Sequence, residues 1–520
     1  MHLDPEACYR ALLTRDARFD GRFFTAVRTT GIYCRPICPA RPPKFENIVF
    51  MPSAAAAQAA GFRPCLRCRP ETSPDIAAWH GTASTISRAM ALIAAGALNE
   101  GDVAGLAMRL GMGERQLRRL FQKHLGATPG AVAQTRRSLF AKQLITDTHL
   151  PMTEVALAAG FGSLRRFNAS FRALYGRAPR TLRGDGMAEM PGAAVTLTLP
   201  YRPPYDWPAM IGFLAARAIP GVEHVTPDRY ARTITLGAAQ GSIAIRPAGR
   251  PHALAATIRF PVVTALPAIV ERIRRIFDLG ADPATIAAQL AADPHLAELV
   301  ATRPGLRVPG AWDGFELAIR GILGQQITVT AATRLAGRLA AAHGAPLAAP
   351  AEPGLTHVFP SPDRILQADL AATLGMPAAR IAAIRSMAAA AQADPLLFAP
   401  EQGLDAAIIR LKALPGIGEW TAQYIAMRAL REPDAFPAAD IGLLRAMATP
   451  AGRPTPAALL RRAEAWRPWR AYAALHLWAA DAAASATETS LEAAAGSRRV
   501  AGRDHAGRLG RGGAAGAGFP

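Results

Sequence analysis

Two close pairs of cysteines stand near the start of the chain, Cys34-x3-Cys38 and Cys65-x2-Cys68, and no cysteine follows Cys68. Four thiols in two short-spaced pairs are the donor set of one tetrahedral ion, and soft sulfur ligands select zinc. In a reducing compartment such clustering points to a metal or a reactive thiol rather than to disulfides. A structural ion is the commonest use of the pattern. A bound ion also keeps its sulfurs ionised, so one ligand could stay nucleophilic. Spacing alone leaves both uses open. Cys8 lies outside the pairs and is assigned to packing.

A second group sits far downstream. LPGIGEWTA contains Leu414, Gly416 and Gly418 in an L-P-G-x-G turn between two helical stretches. Its glycines let successive backbone N–H groups face outward, a clamp for a phosphate that has room for a bridging monovalent cation. The same pattern also serves as a plain turn. Beyond it, FPAAD places Asp440 at the head of the helical stretch IGLLRAM. An Asp there caps the helix, and a carboxylate there can also do acid–base work.

Other elements must position these groups. Residues 102–126 and 152–176 share one shape: a helix, a Gly-containing turn, then a helix rich in Arg. Their second helices are expected at about Glu114–His124 and Ser163–Leu174. Arg115, Arg118, Arg119, Arg165 and Arg166 are the candidates for groove and phosphate contacts. A small helical bundle with solvated charged faces is the alternative. Alternation at 195–199, 231–236 and 242–247 predicts strands, and helical spacing returns from Trp312 to about Ala480.

Charge points to the class of partner. The chain carries 59 Lys and Arg against 39 Asp and Glu, a net +20, and residues 1–186 hold 26 of the basic and 13 of the acidic groups. A basic front section favours a polyanion, although a merely soluble basic protein would look the same. No run approaches the roughly 18 apolar residues of a membrane span, and the early acids of MHLDPEACYRALLTRD do not suit a secretory signal. A cytoplasmic, nucleoid-associated protein is expected.

Longer words in the sequence add resemblances. RTTGIYCRPICPAR (28–41), ENIVF (46–50) and AAGFRPCLRCRPE (59–71) closely resemble the methyl-acceptor domain of the Ada adaptive-response family, from about Asp4 to Glu71. The resemblance implies that Cys34 takes a methyl group from a DNA methylphosphotriester, with Cys34, Cys38, Cys65 and Cys68 holding one zinc ion. Four thiolates leave such a centre doubly negative, and methylating one sulfur removes one negative charge, which should tighten DNA binding. The paired helix-turn-helix units, each ending in F-(Q/R)-x-x-x-G-x-(T/A)-P, resemble the AraC-type regulator domain.

From about Val195 to Asp481 the chain resembles the AlkA-type 3-methyladenine DNA glycosylases II of the helix-hairpin-helix superfamily. The resemblance rests on YRPPYDWPAMIGFLAARAIPGVE (201–223), RPGLRVPGAWDGFELAIRGILGQQ (303–326), TLGMPAAR (373–380), WTAQYIAMRAL (420–430) and WRPWRAYAALHLW (466–478). It implies that Asp440 stabilises the sugar cation and directs water, while Phe213, Trp420, Tyr424 and Trp478 hold the flipped base. Any one of those aromatics could instead be simple core. Gln325 and Gln326 fall where the family inserts a wedge into the duplex, with Gln326 polar where the best-known enzyme has an apolar residue. Strand-cutting relatives carry a Lys where this chain has Trp420, which implies a monofunctional enzyme. Four late cysteines for an iron–sulfur cluster are missing, so none is expected. No P-C-H-R motif occurs, so a second methyltransferase module and O6-methylguanine repair are not expected.

The expected fold is multidomain and mainly α with α+β parts. It comprises a small zinc α/β domain (1–80), an AraC-type double helix-turn-helix (84–183), a linker (184–194), a TBP-like β-α-β layer (195–305), an all-α glycosylase domain (306–481) and a disordered tail (482–520). The expected partners are double-stranded DNA and RNA polymerase, with no membrane. The competing reading is a transcriptional regulator whose glycosylase half is only a DNA-binding platform.

Overall fold

The computed structural model describes residues 4–74, 82–183, 194–348, 352–399 and 403–485 of the 520-residue chain. Of the expected linker only Ala194 lies within them, and 486–520 of the expected tail lie outside. Residues 482–485 correct the tail's start, because they continue a helix that runs over 470–485. Three consecutive alanines there extend the helix at little cost.

The first unit opens with the helix Pro5–Thr14, whose first turn is capped by Asp4. Its sheet has the order β3-β1-β2-β4, from Phe24–Val27 (β1), Ile32–Cys34 (β2), Ile48–Met51 (β3) and Arg63–Pro64 (β4). β1 runs antiparallel to β2 and β3, and β4 lies parallel to β2. Cys8 is buried with Ala11 and Phe23, which bears out its packing role.

Next come the two helix-turn-helix units. Their second helices are Glu114–Leu125 and Leu164–Tyr175, one residue beyond the expected ends. The 19-residue helix Pro129–Asp147 joins them and buries Val132 and Ala133 in one core and Leu144 and Ile145 in the other. This helix also grips the first unit. Its buried Lys142 pairs with the buried Glu71, and Asp147 accepts from Arg69 at 2.6 Å.

A five-stranded antiparallel sheet follows, in the order β5-β9-β8-β7-β6. Its strands are Val195–Pro200 (β5), Glu223–Thr226 (β6), Arg229–Leu236 (β7), Ala239–Pro247 (β8) and Ala253–Arg259 (β9). The helix Trp207–Ala215 lies between β5 and β6. Leu197, Leu199, Ile243 and Ile258 of this sheet share one continuous core with Phe167 and Phe171 of the second helix-turn-helix. The molecule is multidomain and mainly helical, yet apolar packing runs across this junction.

The largest core belongs to the C-terminal helices Gly314–Leu323, Ala378–Ala393 and Glu419–Arg428 and the helix over 470–485. Among the described residues no helix is long and apolar enough to cross a membrane.

Candidate active site and metal centre

The L-P-G-x-G turn links the helices Leu404–Lys412 and Glu419–Arg428. Gly416 sits at φ +79°, and a Cβ there would lie 2.6 Å from Ala383 Cβ, so both backbone and space require glycine. Gly418 is the cap residue of the second helix. Gly416 and Gly418 are exposed, while Leu414 packs partly buried against the core. The turn is therefore anchored by its leucine and presents its glycine backbone to solvent.

Trp420 and Tyr424 lie on one face of the helix that follows, with rings stacked 5.1 Å apart and 9° from parallel. That spacing of four residues is what places two helical side chains together. Asp440 caps the short helix Ile441–Ala446, its Oδ1 accepting from Gly442 N (2.9 Å) and Leu443 N (3.1 Å). The same carboxylate receives two indoles. Trp478 Nε1 donates to Oδ1 and Trp420 Nε1 to Oδ2, each at 2.8 Å. Capping and site geometry are thus one arrangement, since the helix start fixes the carboxylate and two tryptophans from different helices fix its plane. Asp440, Trp420 and Trp478 are all half-buried.

Phe213 reaches this group less directly. Its ring carries the Arg217 guanidinium at 3.8 Å and the Arg428 guanidinium at 4.7 Å from the centroid. Arg428 also lies 5.3 Å from the Tyr424 ring and donates to the Tyr424 hydroxyl. Burial alone would raise the Tyr424 phenol, but Arg428, Arg217 and Arg320 outweigh it and hold the phenol below its ordinary value. The four expected aromatics are therefore connected, although the face of Phe213 is occupied by cations.

Gln325 and Gln326 diverge. Gln325 Nε2 donates to Gly416 O (3.0 Å) and to Thr421 Oγ1 (3.3 Å), tying its loop to the glycine turn. Gln326 is exposed at φ +61°, in the left-handed region, with Arg380 donating to its Oε1 at 3.4 Å.

In the first unit the four cysteines meet. Cys34 ends β2, and Cys65 N bonds Tyr33 O at 3.0 Å, so the sheet brings the two pairs together. Ligand atoms of Cys34, Cys38, Cys65 and Cys68 all lie within 4.8 Å of one another. That spread fits one zinc ion at about 2.3 Å from each sulfur. Cys38, Cys65 and Cys68 are buried and Cys34 is half-exposed. Hydrogen bonding from Cys34 draws the Cys38 thiol below its ordinary value. Arg35 N donates to Cys68 Sγ at 3.3 Å, and the Arg35 guanidinium is held by Asp20.

Comparison with known proteins follows this division. The AlkA N-terminal domain family matches residues 196–313, the metal binding domain of Ada 7–71, and a helix-turn-helix domain 106–185. The probable bifunctional transcriptional activator/DNA repair enzyme AlkA of Mycobacterium tuberculosis is 43% identical over 484 residues, covering 92% of this chain and 97% of the relative. The chain belongs to this bifunctional AlkA family. DNA-3-methyladenine glycosylase 2 of Escherichia coli is 37% identical over 283 residues, 54% of this chain and 96% of the enzyme. The bifunctional transcriptional activator/DNA repair enzyme Ada of the same organism is 38% identical over 155 residues, 29% of this chain and 42% of that one. The chain thus joins a zinc-binding Ada-like unit, a helix-turn-helix unit and a glycosylase fold.

Arg115, Arg118, Arg119, Arg165 and Arg166 are all exposed on the second helices of the two units. Arg118 is paired with Glu114 on its own helix. Residue-level reasoning missed Arg217 and Arg428 at the site and Asp20 beneath the cysteines. The first two carry a signal that was available: each stands four residues after an aromatic, as Phe213-x3-Arg217 and Tyr424-x3-Arg428.

Proposed function

We propose that this protein excises alkylated bases from DNA as a monofunctional glycosylase, and that its Cys34 accepts methyl groups from DNA methylphosphotriesters to switch its transcription-factor activity. The observation that carries the first part is the carboxylate of Asp440 gripped by Trp420 and Trp478. An alkylated purine already bears positive charge, so its bond to the sugar is weak. The enzyme must chiefly extrude the nucleotide and stabilise the sugar cation that forms. Asp440 supplies the negative charge for that cation and takes a proton from the attacking water. Trp420 and Tyr424 offer a stacked aromatic surface for a cationic base. The exposed glycines of the turn hold a backbone phosphate.

For methyl transfer, the Cys34 sulfur forms a bond to the methyl carbon as the carbon–oxygen bond of the triester breaks, leaving an ordinary phosphodiester. Zinc bound by the four sulfurs keeps them ionised at neutral pH. Greater exposure of Cys34 than of its three companions supports it as the acceptor. The exposed arginines of the two units contact promoter DNA, and the same domain meets RNA polymerase. A cytoplasmic, nucleoid-associated location follows from that role.

Chromatography of bases released from methylated DNA tests the first part. Wild type should free 3-methyladenine and Asp440→Asn should not, whereas equally little release from both would favour a mere DNA-binding platform. For the second part, mass spectrometry after incubation with methylated DNA should find one added methyl on Cys34.

A further inference from the structure

Three arginines surround the phenol of Tyr424, and their partners differ. Arg320 is neutralised by Glu223 at 2.9 Å and Glu316 at 3.2 Å. Arg428 spends its N–H groups on Pro309 O, Gly310 O and the Tyr424 hydroxyl. Arg217 lies over the Phe213 ring, donates weakly to Phe213 O at 3.4 Å, and has only the Tyr424 phenol as a group of opposite polarity beside it. Among the described residues no carboxylate neutralises it, and burial pulls its guanidinium below the ordinary value. A planar donor with no carboxylate partner among the described residues, engaged by Phe213 O and the Tyr424 phenol, therefore borders the stack Tyr424–Trp420, which ends on Asp440.

The charge of the departing base decides what such a donor does. When a cationic alkylpurine leaves, the electrons of the glycosidic bond neutralise it, and no donor is needed; before that, a guanidinium nearby repels it. When a neutral base leaves, the same electrons make it an anion. Preoriented N–H donors then stabilise charge as it develops.

We propose that Arg217 is a specificity-determining residue that sets the ratio in which neutral and cationic bases are released, an inference that rests on the glycosylase reading above. For a neutral oxo-purine the bond between the sugar carbon and the base nitrogen breaks with both electrons passing to the base. Arg217 donates hydrogen bonds to the oxygen or ring nitrogen that gathers the charge. Water adds to the sugar carbon and gives its proton to Asp440, and the freed base takes a proton from solvent.

Single-turnover excision from two duplexes tests this, one carrying hypoxanthine as the neutral base and one carrying 3-methyladenine. Arg217→Met should lower hypoxanthine release by about 10-fold or more while 3-methyladenine release stays within about threefold of wild type or rises. Arg217→Lys keeps the charge without the planar fork, so it should give an intermediate hypoxanthine rate and keeps the test open if the first variant folds poorly. An equal fall for both bases in both variants would mean that Arg217 only holds Phe213 in place, and the proposal fails. Release of 3-methyladenine but not hypoxanthine by wild type also overturns it, while leaving the glycosylase reading intact. Release of neither base sinks the glycosylase reading itself.

Discussion

Asp440 is pinned by four donors, two from backbone and two from indole nitrogens. Hydrogen bonds to a charged group contribute about 1.5–3 kcal/mol each, so one lost indole donor should reorient or loosen the carboxylate. Trp478→Phe keeps a ring but removes that donor, and single-turnover excision should drop by about 10-fold. An unchanged rate would mean that the indole contact is incidental. The cysteines and Asp440 were legible in sequence because their chemistry depends on short spacings and on a helix start, both of which the chain order records. Phe213 was legible as a base-holding aromatic only through the family resemblance. That two guanidinium groups cover its ring depends on a helix from the sheet layer meeting one from the glycosylase half, a long-range contact with no local mark.

At the level of elements, the glycine turn and the last helix offer separate tests. Gly416→Ala adds a methyl that meets Ala383 and forces a non-glycine residue to φ +79°. It should cost about 1–3 kcal/mol of stability and weaken affinity for undamaged duplex, read by thermal melting and by fluorescence anisotropy. His476 lies two residues before Trp478 on the helix over 470–485, and burial, aided by Arg303, depresses it to about 4. The fold therefore favours the neutral ring over the unfolded value of about 6.5. Its contribution to stability is full above that value and is lost as pH falls through about 4, roughly 3 kcal/mol in all. Denaturant titrations across that range should show the loss, and His476→Gln should flatten it. Strands β5, β7 and β8 were readable from alternation. β6 is four residues long and β9 has Ala at three of its seven positions, so neither carries a strong two-residue period, and sheet pairing rather than local pattern forms them.

For the whole molecule, the methyl-acceptor unit is not a free appendage. Arg22 donates to Asp282 at 2.6 Å and to Thr285 at 3.2 Å, and Asp282 caps the helix Pro283–Leu290. The fully buried Arg202 donates to Asp20 O at 3.0 Å, and Asp20 also holds Arg35 beside the cysteines. Arg22→Ala leaves the buried Asp282 without its cation, a change that costs about 3–5 kcal/mol in comparable settings. Limited proteolysis should then cleave between the first unit and the remainder faster than in wild type. The division into units was legible from motif words, while the packing that unites them was not, because Arg22 and Asp282 stand far apart in sequence.

The central claim is that one tryptophan-held carboxylate breaks the bond between sugar and damaged base. Its most direct test is the single-turnover rate constant for 3-methyladenine release at saturating enzyme, for wild type and Asp440→Asn, with duplex affinity measured alongside. We expect the rate to fall by roughly a thousandfold or more, as for loss of a residue that stabilises charge in the transition state, while affinity stays within about threefold. Equal rates with equal affinity would contradict the account.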